Sequence, residues 1–332
     1  MIDLKTKYLG LELKNPLIAS ASPLSKDLAG VQKLQESGVA AVVLHSLFEE
    51  EIEHEQLRYD HFMNHGSESY AEATEYFLDA LPIQDMQAEH YLEEIATIKK
   101  NISIPIIASL NGVSDGGWVH YAKKLQEAGA DALELNITHI PCDPFKDASE
   151  VEDIYLNIVK HLREKISIPM NLKMNRYFSA PANIAKKFVA AGIDGLTLFD
   201  NPIEVDIDLE NLLPIHKANI TTTKDKSETL RWCAILYNKL NTSLCANTGI
   251  HSGLDVLKAI MSGADTVSFA STLLQNTERQ TQNILKEMEE WMLEHEYHST
   301  DQMRGSISLD HTSKPELFER NSYRNALQSF RR

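Results

Sequence analysis

Glu36–Leu44 reads ESGVAAVVL, and three later stretches nearly repeat it: EAGADALEL at Glu127–Leu135, AAGIDGLTL at Ala190–Leu198 and MSGADTVSF at Met261–Phe269. Each joins the end of a helical pattern to a glycine and then to an apolar run of strand length. Gly38, Gly129, Gly192 and Gly263 stand where a helix needs a left-handed stop. A second class of segment alternates with the first: NISIPIIASL (Asn101–Leu110), KISIPMNLKM (Lys165–Met174) and NTSLCANTGI (Asn241–Ile250). These open on a short polar lead, sometimes with a proline, and run into a buried strand. Regular alternation of helix and strand from near residue 16 to near residue 274 predicts a parallel α/β repeat, a (β/α)8 TIM barrel.

The expected strands are Asn15–Ser20, Ala41–Ser46, Ile104–Asn111, Asp131–Asn136, Ile168–Asn175, Asp194–Asn201, Ser243–Gly249 and Asp265–Ser271. Continuous apolar runs of this kind suit strands covered on both faces. Helical periodicity fills the gaps, at Gln87–Lys100, Gly116–Ala128, Val151–Ile166, Ala180–Ala191, Lys226–Leu240, Leu254–Met261 and Leu274–Glu294. Ser25 is the expected N-cap of the first helix. Two stretches break the repeat. Residues 48–84 form a long acidic insertion after the second strand, hence at the C-terminal face, where barrels carry function. Residues 296–332 form a C-terminal extension expected to pack on the outside of a barrel spanning 1–295.

A net charge of −16 repels phosphate backbones and argues against nucleic acid as a partner. Three scattered cysteines, Cys142, Cys233 and Cys245, give neither a disulfide framework nor an iron–sulfur site. No apolar run reaches membrane-span length and no signal peptide opens the chain, so a cytoplasmic enzyme without membrane attachment is expected.

The C-terminal strand ends carry Ala19-Ser20-Ala21-Ser22, His45-Ser46, Ser109 with Asn111, Asn136, Lys173 with Asn175, Asp200-Asn201, Asn247-Thr248-Gly249 and Ala270-Ser271. This set is neutral and polar around one lysine. It lacks the carboxylate cluster of a divalent-metal site and the paired carboxylates of a glycosidase. His61 and His65 have metal-pair spacing, but their glutamate-rich surroundings read as a solvated helix face, and no metal is expected. Strands seven and eight end in small residues next to predicted helix starts, at Thr248-Gly249 with Ser252-Gly253 and at Ala270-Ser271. Free backbone N–H groups there predict a phosphate site.

These residues resemble the class 1 dihydroorotate dehydrogenase family of FMN-containing barrels in pyrimidine biosynthesis. The likeness rests on LGLELKNPLIASAS, SGVAAVVLHS, GADALELN, NLKMN and NTGIHSGLDVLKAIMSGADTVSFASTLL, and covers nearly the whole chain. It implies a non-covalent FMN. Ala19 and Ser20 would line the isoalloxazine, Ser46 and Asn136 would hydrogen-bond it, and Lys173 would sit by its N1–C2=O edge. Thr248, Gly249, Ala270 and Ser271 would hold the phosphate, Asn247 would also contact the cofactor, and Asn111 and Asn201 would hold the substrate. The resemblance further implies a small-molecule substrate, a soluble electron acceptor and a homodimer.

The substrate half departs from the family. After strand four the family carries Asn-x-Ser-Cys-Pro-Asn, whose cysteine is the base; this chain has Asn136-Ile137-Thr138-His139-Ile140-Pro141-Cys142-Asp143. His139 stands in register with the base, Cys142 is the alternative if the loop is reshaped, and the third reading is that neither is catalytic. The family lysine after strand two becomes His45, and the Asn-Ser end of strand six becomes Phe199-Asp200. Phe77–Ile83 stands in place of a family substrate loop, and Thr221–Lys226 in place of a glycine- and serine-rich turn. Two functions are therefore expected to compete. One is an FMN-dependent oxidoreductase acting on a CH–CH bond, with dihydroorotate or a related molecule as substrate. The other is a flavin- or phosphate-binding barrel without turnover that acts through a partner.

Overall fold

The structure is a computed structural model, and it describes residues 2–51, 86–113, 118–200, 204–217, 220–276, 279–320 and 327. The expected insertion 48–84 lies almost wholly outside these residues, as do His54, His61, His65, the segment Phe77–Ile83 and Asn201.

Eight parallel strands close into one barrel in sequential order, so the expected architecture is present. From first to eighth they are Leu17–Ala19, Ala41–Phe48, Ile106–Asn111, Ala132–Asn136, Met170–Met174, Gly195–Leu198, Ser243–Asn247 and Thr266–Phe269. The glycine stops behave as the sequence demands: Gly38, Gly129, Gly192 and Gly263 have φ between 103° and 120°. Asp131, Asp194 and Asp265 then follow a shared design. Asp131 accepts from the Ile106 N–H (2.7 Å), Asp194 from the Met170 N–H (2.9 Å) and Asp265 from the Leu244 N–H (2.7 Å). Each carboxylate pins the start of a neighbouring strand, which is why three of the four glycine-strand segments carry an aspartate.

Side chains alternate between two cores, as a strand period of two requires. Leu17, Val42, Leu44, Ile106, Leu133, Leu172 and Val267 face the helices, while Ile18, Val43, Ile107, Ala132 and Cys245 fill the barrel interior. The floor of that interior is closed by a short antiparallel hairpin, Thr6–Tyr8 with Leu11–Leu13, which the helix-strand repeat does not announce. Tyr8, Leu9 and Leu13 are buried in the interior cluster. The Leu9 N–H donates to Ser243 Oγ (3.0 Å), and its side chain occupies the space that a Cβ at Gly195 would need.

The helix boundaries agree closely with the periodicity, with two differences. The first helix, Leu28–Ser37, is capped by Asp27, whose side chain accepts from the Gly30 N–H, and not by Ser25. Ser25 instead ends a 3-10 turn, Pro23–Ser25, that Ser22 caps. The run Leu274–Glu294 is two helices, Ser271–Gln275 and Arg279–Glu294. A second hairpin, Glu204–Asp208 with Leu213–Lys217, leaves the barrel after strand six. Beyond residue 296 the chain returns to the barrel: Arg304 pairs with Asp265, and the Gly305 N–H donates to Ile260 C=O (2.9 Å). Among the described residues no helix is long and apolar enough to cross a membrane.

Candidate functional site

At the C-terminal ends of the strands lies a cavity of about 200 Å³. Strands one, five, seven and eight supply Ser20, Ala21, Lys173, Asn247, Thr248, Gly249, Ala270 and Ser271, with Thr221 and Leu274 completing the wall. A hollow of about 420 Å³ opens near Lys7, Leu9 and Arg304 at the opposite end. That is the face where barrels build stability rather than chemistry.

One wall of the mouth cavity is made of backbone. Thr248 and Gly249 both have φ of 71°. A β-branched residue in the left-handed region is uncommon, and such conformations gather at binding sites. The Thr248 hydroxyl is held near Thr229 Oγ1 (3.3 Å) and Asp225 C=O (3.4 Å). Gly249 lies against the start of the helix Lys226–Leu236, where a Cβ would collide with the Lys226 backbone. The N–H groups of Thr248, Gly249, Ile250 and Ala270 have no acceptor among the described residues. Ser271 Oγ accepts from the Thr221 N–H (3.1 Å), which leaves its own proton free to donate. Unspent donors around a small cavity suit a phosphate.

The helix Gly253–Ser262 does not share in this wall, contrary to the expectation for Ser252-Gly253. Its donors are spent internally. Ser252 Oγ accepts from the Asp255 N–H, Asp255 accepts from the N–H groups of His251 (3.1 Å) and Ser252 (3.2 Å), and the Gly253 N–H donates to Glu287 (2.7 Å). Asp255 also pairs with Lys226 (2.8 Å) and accepts from Thr223 Oγ1 (2.7 Å). Burial alone would raise the Asp255 pKa, but these hydrogen bonds outweigh it and hold the carboxyl below its ordinary value.

The cavity's cation is Lys173. Burial alone would depress its pKa; the Asp200 and Glu134 carboxylates outweigh burial and hold it above the ordinary lysine value. Lys173 Nζ lies 3.1 Å from Asp200 Oδ1, both side chains being largely enclosed. One layer below, Glu134 is buried, and burial raises its pKa. Glu134 Oε2 accepts from Asn171 Nδ2 (2.9 Å), which also donates to Thr197 Oγ1 (2.8 Å), while Glu134 Oε1 has no partner among the described residues.

Other expected residues sit close by without lining this cavity. Ala19 packs in the helix-facing core; the strand alternation turns Ser20 inward, and Ala21 takes the lining position. Ser46 bonds Ser109 across strands two and three (2.8 Å). Asn111 is in register with Asn136, and Asn136 with Lys173, so the three form one row on strands three, four and five.

The two candidate bases differ in setting. Cys142 lies in a fully exposed stretch. His139 is half-buried, and its Nε2 is enclosed without a partner among the described residues. Its backbone is clamped by Tyr155, a residue the sequence did not single out. Tyr155 Oη accepts from the His139 N–H (3.2 Å), donates to His139 C=O (3.3 Å) and accepts from Asn175 Nδ2 (2.9 Å). His45 stacks edge-on against Tyr91 at 4.8 Å, and burial lowers its pKa, favouring the neutral ring.

The sequence matches the dihydroorotate dehydrogenase family over residues 3–292. Three similar curated proteins bear the name dihydroorotate dehydrogenase B (NAD(+)), catalytic subunit. The one from Thermoplasma acidophilum is 24% identical over 310 residues, covering 92% of this chain and 99% of its own. That from Methanocaldococcus jannaschii is 24% identical over 278 residues, covering 81% and 86%. That from Alkaliphilus metalliredigens is 23% identical over 318 residues, covering 92% and 99%. Matched over residues 3–292 and folded as a closed parallel barrel, the chain belongs to the dihydroorotate dehydrogenase family, a family of oxidoreductases.

Proposed function

We propose that this chain binds FMN in the mouth cavity and oxidises a CH–CH bond of dihydroorotate or a close analogue. When bound, FMN supplies an acceptor for the electron pair of a substrate C–H bond. The observation that carries the reading is the set of unspent N–H donors at Thr248, Gly249, Ile250 and Ala270, one cavity wall away from a buried lysine. The donors hold the phosphate, with Asn247 and Ser271 beside them. Lys173 faces the ring, Ser20 and Ala21 close one side of it, and the row Asn111–Asn136 with Ser46 presents polar groups to ring and substrate.

His139 takes the substrate proton. Its enclosed, unpartnered Nε2 favours it over the exposed Cys142. Tyr155 keeps the histidine backbone in place during that transfer. The names of the relatives support a companion subunit as electron acceptor, and the protomer is proposed to pair with a second copy, which sedimentation of the purified chain tests.

The reading is tested by reconstitution. Purified protein should retain or take up FMN with saturable affinity, and anaerobic dihydroorotate should bleach the bound flavin. Protein that ignores added FMN refutes the site. Flavin that binds but is bleached by no dihydropyrimidine refutes the reaction.

A further inference from the structure

The cation facing the proposed ring is not a free charge. Strand six ends two residues before Asp200, and the Asp200 N–H donates to Met174 C=O (2.9 Å), which fixes that carboxylate beside the end of strand five. Asp200 thereby meets the Lys173 ammonium at 3.1 Å in a place where both are shielded from water. Glu134 lies below them in the same interior, so carboxyl groups flank the ammonium from two strands. Lys173 also lines the cavity itself. An ion pair projects a much weaker field than a lone cation, because the two potentials largely cancel a few ångströms away. The charge balance of the cavity therefore depends on a residue that enters only through its neighbour.

We propose that Asp200 sets the redox preference of this site: by holding Lys173 in an ion pair, it keeps the protein from favouring reduced over oxidised flavin. The inference rests on the FMN reading above. Two electrons and one proton convert the neutral oxidised ring into a reduced ring with one negative charge at its N1–C2=O side. An unpaired ammonium stabilises that charge, and a paired one does so far less. Asp200 is a positioning residue here, acting on the flavin through Lys173.

The test measures the dissociation constants of oxidised and dithionite-reduced FMN anaerobically, together with the midpoint potential of the bound flavin. The proteins are wild type, Asp200→Asn, Lys173→Met, the double variant and Asp200→Glu. Asp200→Asn should raise the affinity ratio of reduced to oxidised flavin by about tenfold, an upward shift of about 30 mV for a two-electron couple. Lys173→Met should move the ratio in the opposite direction. The double variant should return near wild type, and Asp200→Glu should stay there. A merely structural role would weaken both redox forms alike and leave the ratio fixed. A ratio unchanged in Asp200→Asn, or single variants that shift the same way, overturns the inference while the FMN reading stands. Wild-type protein that binds neither form overturns both.

Discussion

Replacing Gly249 with alanine tests the backbone geometry that the whole site depends on. Gly249 has φ of 71°, and an added Cβ would collide with the Lys226 backbone nitrogen while lying 2.9 Å from Lys226 Cβ and 3.0 Å from the Asp225 carbonyl carbon. The left-handed conformation alone costs an alanine roughly 1–2 kcal/mol. Forcing a methyl against a helix start adds about 1–3 kcal/mol of overpacking. Relief by moving Lys226 is restrained, because its ammonium is 2.8 Å from Asp255, a carboxylate that also holds the next helix. The sum is about 2–5 kcal/mol. With an unfolding entropy of about 2.1 cal/mol/K per residue, that lowers Tm by roughly 3–7 °C. Scanning calorimetry of the apo protein reads this directly, and FMN titration of the folded variant should show at least about tenfold weaker binding as the N–H donors are re-aimed. A variant with wild-type Tm would mean that the strand-seven turn does not approach the helix start, and the proposed phosphate wall would lose its framework.

His139→Ala should slow anaerobic flavin reduction by about 10²–10⁴-fold, whereas Cys142→Ala should leave it near wild type; stopped-flow traces decide, and the reverse order would reassign the base. Tyr155→Phe removes the hydroxyl that serves the His139 N–H and C=O and the Asn175 amide, and should cost about 1–3 kcal/mol in urea unfolding. The Asp255 carboxyl has a folded pKa below its ordinary 3.8, so its contribution to stability is full above that value and is lost as pH falls through the depressed one. Asp255→Asn should therefore flatten the decline of stability in that acid range, and an unaltered pH profile would refute the linkage.

The barrel was legible because its signals are local and repeated. A glycine stop, an aspartate and an apolar run mark a strand such as Ala132–Asn136 whatever surrounds it. The residues that line the mouth cavity were legible for the same reason, since Thr248-Gly249 and Ala270-Ser271 are small residues at strand ends. What escaped were features decided by tertiary partners. The hairpins Thr6–Tyr8 with Leu11–Leu13 and Glu204–Asp208 with Leu213–Lys217 have strands too short for a periodic signal. Ser252 and Gly253 looked like free donors, but Asp255 and Glu287 consume them, the latter from a helix more than thirty residues away. Ala19 looked like a lining residue until the strand's alternation placed it outward. The pairing of Lys173 with Asp200 joins two strand ends, and no spacing rule in one dimension announces it.

The hairpin wedged beneath the barrel has a kinetic consequence. With Leu9 seated under Gly195 and Tyr8 buried behind it, the interior is a blind well. Among the described residues, the way to Lys173 therefore opens at the C-terminal face, not through the floor. Under the FMN reading, substrate and product would share that route, and product should compete with substrate in initial-rate assays.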